Sequence, residues 1–420
     1  MSGNLDIVFQ RESVLQAMSL GAETVASIAR DSGGLYPGDL VRLLNELVAE
    51  GAVARSDIGF RLTIPREPML APEPPLGPEP VLLPEPHPLD FDWRYAPQSS
   101  TSLARRLSAC AGQHGRVLLI GAPTVLLDMA RLRDPPPTTL IDSNRSVIEV
   151  LKEVSLPKSF SLLHRELMSG SAWNAEDPFS AILCDPPWYP EYYPAFTAQA
   201  AAVSGVGATV LLSLLPPACR PGAVDERWEI LTAARQVGLN VVALERNAVR
   251  YSTPPFERAS LRSSSLAVED DWRAGDLLVL TKVANTSDLM IHNMMQNASH
   301  NCPDGHWKEI LIGRRKVKIR LPLTDTKDGP ELISIEPGDV LPTVSRRYSG
   351  RSRVDLWLWD NRVYGAKGRA AIWAALHIIA QRPIPLEVAN VAADARSRAV
   401  RLLEGVLGHA NASDTGQEHA

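Results

Sequence analysis

The fold of this chain is decided by the stretch 179–188, which reads Phe179-Ser180-Ala181-Ile182-Leu183-Cys184-Asp185-Pro186-Pro187-Trp188. Its first six residues form an apolar run that predicts a short buried strand. Ligands of open α/β sheets bind beyond the carboxyl ends of the strands, so residues 185–188 should face a pocket. The two prolines should stiffen this loop and leave its carbonyls as acceptors, because proline fixes φ and has no backbone N–H. An acid, acceptor carbonyls and an aromatic face suit an amine held for attack on an electrophile, and an ordinary strand-ending turn is the competing interpretation.

Strands and helices alternate on both sides of this stretch. Apolar runs predict strands at 116–120, 139–142, 181–184, 209–215, 240–244 and 276–281. Helical spacing predicts helices at 103–110, 126–132, 147–154, 197–203 and 228–237. Such alternation predicts an α/β domain with a doubly wound parallel sheet.

Two further strand ends carry residues that suit a nucleoside cofactor. Gly121 and Ala122 follow the first predicted strand, where a cofactor-binding sheet uses glycine so that the backbone can approach the ligand. Asp142 ends the next strand, about where an acid binds the ribose hydroxyls. Pro123, by contrast, removes a backbone donor from the same loop. We therefore expect Gly121, Ala122 and Asp142 to contact the cofactor and Asp185 to join them at one edge of the sheet.

The stretch 185–188 resembles the catalytic motif of amino-group methyltransferases of the N6-adenine type, in which an acid or amide precedes two prolines and an aromatic residue. The resemblance implies a class I methyltransferase-like (Rossmann-like) fold and S-adenosylmethionine as cofactor. It also implies that Asp185 and the carbonyl of Pro186 hold the amine hydrogens and that Trp188 stacks on the base. Tyr189 and Tyr192 follow at once and are predicted to close the substrate side, with helix packing as the competing interpretation.

The order of elements from about residue 10 to 245 is similar to the branched-chain polyamine synthase family. That resemblance implies aminopropyl transfer from decarboxylated S-adenosylmethionine to a polyamine. The family carries an acidic Gly-Asp-Asp-Asp-Leu loop where this chain has Gly121-Ala122-Pro123-Thr124-Val125. A polycation needs carboxylates around it, whereas Trp188 favours a flat base. The predicted function is methyl transfer to an amine nitrogen, a nucleobase being one candidate; the alternatives are aminopropyl transfer and a non-catalytic scaffold for nucleic acid or protein.

The flanking segments predict further domains. Residues 1–64 read as three helices and a short hairpin, which resembles a winged helix-turn-helix; its third helix either contacts nucleic acid or serves packing and dimerisation. Residues 65–90 are rich in proline and glutamate and predict a semi-rigid linker. The methyltransferase-like domain is expected at 91–285, an α+β appendage at 286–410 and a disordered tail at 411–420. A chain beginning near residue 90 is therefore expected to fold.

The appendage has a less distinct pattern. Strands are predicted at 314–320 and 355–359 and helices at 369–380 and 386–407. The first strand is basic, and its side chains either bind phosphates or are exposed to solvent. His292, His300, Cys302 and His306 do not have the spacing of common zinc sites, so no metal is predicted.

The composition limits the class of protein. A chain of 420 residues should hold two or three domains, and its net charge of −5 argues against broad capture of nucleic acid. Four cysteines without close pairing fit reduced thiols. Neither a signal peptide nor an apolar run of about 18 residues is evident. We expect a cytoplasmic protein without a membrane partner, with nucleic acid (through the winged helix and strand 314–320), a protein or a second copy as candidate partners.

Overall fold

The computed structural model describes residues 2–19, 21–63, 83–300, 306–324 and 329–414. Its helices are α1 Ser2–Ser19, α2 Val25–Asp31, α3 Pro37–Ala49, α4 Pro97–Ala111, α5 Pro123–Ala130, α6 Arg145–Lys152, α7 Tyr192–Val203, α8 Ala223–Gln236, α9 Pro255–Ser263, α10 Asp288–His300, α11 Arg369–Ile379 and α12 Ala393–Asp414. Its strands are β1 Val53–Ser56, β2 Gly59–Leu62, β3 Val117–Ile120, β4 Thr138–Asp142, β5 Phe160–His164, β6 Phe179–Cys184, β7 Ser204–Leu214, β8 Leu239–Tyr251, β9 Arg273–Lys282, β10 Trp307–Ile312, β11 Arg315–Arg320, β12 Glu331–Ser334, β13 Leu356–Leu358 and β14 Val363–Lys367.

The chain divides into two compact units. The first consists of Met1–Leu83, Trp93–Thr253 and Leu266–Cys302, and the second of Pro84–Asp92, Pro254–Ser265 and Pro303–Ala420. Helix α10 thus belongs to the first unit, although the sequence analysis assigned residues from 286 onward to the appendage. None of the helices in the described part of the chain is both long enough and apolar enough to span a membrane.

The first unit is built on a seven-stranded sheet in the order β5-β4-β3-β6-β7-β9-β8. Strands β5, β4, β3, β6 and β7 are parallel, whereas β9 pairs antiparallel with both β7 and β8. The central strand β3 is fully buried, as expected for a parallel strand covered on both faces. The α/β expectation is confirmed, but the sheet is mixed rather than wholly parallel. The edge strand β5 was missed because its half-exposed residues do not form an apolar run.

Helix α2 and the turn after it pack within the first unit against the sheet rather than standing apart from it. Arg250, on β8, donates to the carbonyl of Arg30 at 3.0 Å and to the Asp31 carboxylate at 3.1 Å. Arg30 in turn forms an ion pair with Glu269 at 2.6 Å. Gly34 lies so close to the sheet that a Cβ added there would be 3.0 Å from the carbonyl oxygen of Ala274.

The second unit is an antiparallel sheet covered by α11 and α12. Its strand order is β10-β11-β13-β14-β12, and Val317, Ile319 and Leu356 contribute to a core with the buried face of α11. The helix predicted at 386–407 begins only at Ala393, because residues 386–388 form a single 3-10 turn after Pro385. Helix α12 continues to Asp414, so the tail predicted from 411 starts inside a helix; residues 415–420 lie outside the described part.

The end of the predicted linker 65–90 is not a spacer. Residues 64–82 lie outside the described part, but the segment from Pro84 packs in the second unit. His87 is fully buried: its Nδ1 accepts from the Leu89 N–H, and its Nε2 bonds the Trp357 carbonyl. Burial and the nearby Lys318 charge lower the pKa of His87 to about 3, so the imidazole is neutral. Interior hydrogen bonds therefore hold a segment whose proline content predicted an extended chain.

Candidate functional site

The candidate site lies at the carboxyl edge of the parallel strands in the first unit. Strands β4 and β6 flank β3 on opposite sides, so the strand order reverses there. Crevices at such a reversal are where open α/β sheets bind ligands. The loops after β3, β4 and β6 carry Gly121, Asp142 and Asp185, and the structure places all three at this edge as the sequence predicted.

Gly121 brings the loop after β3 against the loop after β6. Its φ is +75°, and a Cβ added there would lie 3.0 Å from the carbonyl oxygen of Asp185. The Gly121 N–H donates to the carbonyl of Ile141 at 2.9 Å. Both the positive φ and the close approach require glycine, since an L side chain is strained in this region.

Pro123 occupies the first position of α5, with Ala122 as the residue that precedes the helix. The first helical N–H groups have no partner inside the helix, so the missing proline N–H removes no helical hydrogen bond. Ala122 is itself buried. The loop therefore supports a regular helix start despite its departure from a glycine-rich sequence.

Asp142 ends β4 beside Gly121, because Ile120 and Ile141 are paired across β3 and β4. Its Oδ1 accepts the N–H of Asn144 at 2.7 Å, which fixes the carboxylate at the start of the next turn. Asn144 then caps α6, with its side-chain oxygen accepting from Val147 N–H at 3.4 Å. The acid is thus held at a strand end by local hydrogen bonds.

Asp185 is bonded by a tyrosine that the sequence analysis did not single out. The hydroxyl of Tyr251 donates to Asp185 Oδ1 at 2.7 Å. The ring of Tyr251 stacks on Tyr95, with ring centroids 4.9 Å apart, and the Tyr95 hydroxyl forms a short hydrogen bond with Ser213. Burial, and then the charge of Asp185, raise the pKa of both tyrosines, so both stay protonated donors.

Trp188 is buried, with 7% of its surface exposed, and it packs among other aromatic and basic groups. The Arg273 guanidinium lies 4.2 Å from the Trp188 ring and 4.1 Å from the Trp93 ring, between the two indoles. The Tyr251 ring meets Trp188 edge-on at 5.6 Å. Gly275 permits this packing, since a Cβ there would be 2.9 Å from Trp188 Cζ2. One face of the indole is therefore covered by Arg273, and stacking of a base on that face would require the arginine to move.

The tyrosines that follow the loop differ in their surroundings. Tyr189 is partly exposed beneath the Arg220 guanidinium, which lies 5.6 Å from its ring. Tyr192 is buried at the start of α7. Tyr193, next to it, accepts the N–H of Leu215 at 3.0 Å with its buried hydroxyl. Their assignment to the substrate side stays a prediction, as do the roles of Pro186 and Trp188.

The third helix of the N-terminal segment presents an acidic surface. Its Arg42 forms an ion pair with Asp39 at 2.9 Å, Glu46 is exposed on the same helix, and the exposed Glu50 that follows the helix pairs with Arg11. In the second unit, the buried Lys316 and Lys318 of the basic strand form ion pairs with both Asp90 and Glu309. Those two lysines therefore serve the interior of the unit.

Across the described ranges, no group of three or more His, Cys, Asp or Glu side chains could hold a metal ion. The sequence spacing of four residues between 292 and 306 did not fit a zinc site; of these four, His292 and His306 are described. The side chain of His300 and all of Cys302 lie outside the described residues.

Comparison with known proteins finds solved structures whose fold is similar to part of this chain. No family model and no curated protein matches the chain. A solved structure of the branched-chain polyamine synthase C9 mutein from Thermus thermophilus, in complex with N4-aminopropylspermidine and 5'-methylthioadenosine, is 15% identical and covers 67% of this chain and 91% of its own, with a TM-score of 0.47. TrmN from Thermus thermophilus is 18% identical over 44% of this chain and 49% of its own, with a TM-score of 0.31. The N-methyltransferase NodS from Bradyrhizobium japonicum WM9 is 14% identical over 44% and 96%, with a TM-score of 0.30.

Proposed function

We propose that this protein is a group transferase that uses S-adenosylmethionine to methylate an amine nitrogen. The observation that supports it best is the position of Asp185. This acid follows β6 at the carboxyl edge of the sheet, its carboxylate accepts a hydrogen bond from Tyr251, and its carbonyl touches the Gly121 loop. An acid fixed beside a cofactor loop is what amine transfer requires.

The residues on the β3 and β4 side suit a nucleoside cofactor. Gly121 holds the loop after β3 in a conformation with φ +75°, and Asp142 is a fixed strand-end acid able to bind ribose hydroxyls. When bound, S-adenosylmethionine supplies a methyl carbon activated by a sulfonium. Asp142→Ala should weaken cofactor binding by about 1–3 kcal/mol, the scale of a lost charge-assisted hydrogen bond.

Asp185 would act on the acceptor. Its carboxylate accepts an amine hydrogen, which orients the nitrogen lone pair toward the reacting carbon. It also offsets the positive charge that develops on the nitrogen during attack. The loop 121–125 contains no acid, so it offers no carboxylates to a polycationic acceptor. We therefore favour methyl transfer over the aminopropyl alternative.

The proposal predicts that turnover depends on Asp185. Labelled S-adenosylmethionine and its decarboxylated form are incubated with DNA, RNA, protein and polyamine acceptors, using wild-type, Asp185→Ala and Glu149→Ala proteins. Asp185→Ala should lower turnover by roughly 10²–10³, the usual effect of losing one preorganised electrostatic partner. Glu149 is an exposed acid on α6, so its loss controls for a change of net charge.

Equal turnover by the wild-type and Asp185→Ala proteins would remove this acid from the chemistry. Transfer only from the decarboxylated cofactor to a polyamine would replace the methyl reaction by the aminopropyl one. Calorimetry that detects no binding of either cofactor would instead favour the scaffold.

A further inference from the structure

The Tyr251 hydroxyl is held at Asp185 by the architecture of the sheet. Tyr251 is the last residue of β8, is 2% exposed, and pairs with Arg273 of β9 and, through an isolated bridge, with Tyr95. Its backbone is thus fixed from two sides. The hydroxyl reaches Asp185 Oδ1 at 2.7 Å, near the usual length of an O–H···O bond.

The ring of Tyr251 is fixed as firmly as its backbone. Tyr95 stacks against it with planes 23° apart, and Trp188 meets it edge-on with planes 87° apart. Tyr95 is held in turn, because its hydroxyl bonds Ser213, which is fully buried on β7. A ring enclosed in this way keeps its hydroxyl in one place, so the bond to Asp185 is preorganised.

Four buried titratable groups near Asp185 are neutral near pH 7, because burial raises the pKa of Cys184, Tyr95, Tyr193 and Tyr251. Two guanidinium groups also lie against this loop, Arg273 on the Trp188 ring and Arg220 over Tyr189. Among the neutral groups, the Tyr251 hydroxyl donates a hydrogen bond to the Asp185 carboxylate and so favours its ionised form.

We propose that Tyr251 is a positioning residue, which orients the Asp185 carboxylate and keeps it ionised for the acceptor amine. The inference rests on the proposed function. A carboxylate whose Oδ1 accepts from a fixed phenol cannot rotate without losing that bond, so the direction of its second oxygen is also set. Tyr251 acts through Asp185 and is not assigned a contact with the reacting atoms.

The test compares the wild-type, Tyr251→Phe and Tyr364→Phe proteins. Tyr364 is a buried tyrosine of the second unit whose hydroxyl hydrogen-bonds the Asp339 carboxylate, so its loss controls for removing a buried phenol from an acid. In Tyr251→Phe the acid limb of the kcat/KM profile should move up by roughly one to two pH units. Cofactor affinity by calorimetry should stay unchanged, and the Tyr364→Phe profile should coincide with the wild type. An unmoved acid limb in Tyr251→Phe, or an equal shift in both variants, would overturn the inference.

A second measurement does not depend on turnover. The protein is labelled with ¹³C in the aspartate carboxyl groups, and the resonance that disappears in Asp185→Asn is followed against pH. Its titration midpoint should lie higher in Tyr251→Phe than in the wild type. Equal midpoints would overturn the positioning role. A shifted midpoint with no transfer to any acceptor would keep the Tyr251–Asp185 coupling and refute the proposed function instead.

Discussion

Single glycines decide how closely the parts of the site approach one another. Gly121 allows the β3 loop to touch the carbonyl of Asp185, and Gly275 allows the indole of Trp188 to lie against β9. The reasons differ, because Gly121 has a positive φ whereas the conflict at Gly275 is steric. A side chain at 275 would meet Trp188, Val249 and Tyr251 together, at 2.9, 3.2 and 3.4 Å.

Gly275→Ala should therefore displace Trp188 and strain the Tyr251 ring. We expect a loss of about 1–3 kcal/mol in the free energy of unfolding, the usual cost of overpacking, together with a changed near-UV circular dichroism spectrum. Gly405→Ala on α12 is the matched control: nothing lies within 4 Å of its added Cβ, and alanine favours helix there. Unfolding curves and spectra that match the wild type would show that Trp188 does not rest on Gly275.

At the scale of elements, β9 ends on a buried cation, Lys282, that bonds uncharged oxygens. Lys282 is 2% exposed, and its Nζ donates to the carbonyls of Ala201 and Val237 at 2.9 and 3.0 Å and to Thr286 Oγ1 at 2.7 Å. These uncharged acceptors join β9 to the ends of α7 and α8. Burial disfavours the ammonium form and lowers the pKa of Lys282 to about 8.

The pH dependence of stability follows from this lowered pKa. Between pH 8 and about 10, the unfolded chain keeps the Lys282 proton that the folded chain has lost, so the free energy of unfolding should rise with pH. The contribution is about 1.4 kcal/mol for each pH unit in this window, and below pH 8 it does not change. Urea unfolding of the wild-type and Lys282→Met proteins at a series of pH values measures this contribution. The difference between their free energies of unfolding should change over pH 8–10. Lys152→Met, at an exposed position, is the control. If this difference stayed constant over pH 8–10, the pKa of Lys282 would not be lowered in the folded chain.

At the scale of the whole molecule, the N-terminal helices share a compact unit with the sheet. Leu35 is fully buried, and the ion pairs of Arg30, Asp31, Glu269 and Arg250 join α2 to β8 and to the segment before β9. Residues 64–82, which lie outside the described part of the chain, separate these helices from the sheet in sequence but not in packing. A chain beginning near residue 90 lacks these contacts, so whether it folds depends on the stability of the sheet without them.

A chain comprising residues 83–420 should be less stable than the full chain. It retains the 84–92 segment of the second unit but leaves Arg250 without its Asp31 partner and exposes the sheet surface beneath α2. We expect the free energy of unfolding of the first unit to fall by about 1.5–3 kcal/mol, the scale of a lost hydrogen bond to a charged group, because Arg250 and Asp31 are only partly buried. Urea unfolding followed by tryptophan fluorescence compares the two chains. If the transition of the first unit were unchanged by the truncation, the helices would be an independent domain after all.

The sequence alone determined the layered α/β fold and the sheet edge that carries the candidate site. Burial of a strand or a helix face leaves an apolar periodicity that can be read locally, and parallel strands bring their carboxyl ends to a common edge. The placement of Gly121, Asp142 and Asp185 at that edge was predictable for this reason, whereas their roles stay predictions. The strand β8 was recognised only over 240–244, because residues 245–250 are mostly charged or polar and form no apolar run, and so Tyr251 at its end was not identified.

Only the tertiary structure decided which side chains meet at that edge and inside the second unit. Tyr251 and Asp185 are 66 residues apart, and Lys318 and Asp90 are 228 apart. The first pair depends on the strand order and on the antiparallel register of β8 with β9, and the second on the packing of the 84–92 segment in the second unit. Neither arrangement leaves a periodic signal along the chain. The run of basic residues at 314–320 therefore has the same sequence pattern whether it faces solvent or a buried aspartate. In the folded chain, Lys316 and Lys318 pair with Asp90.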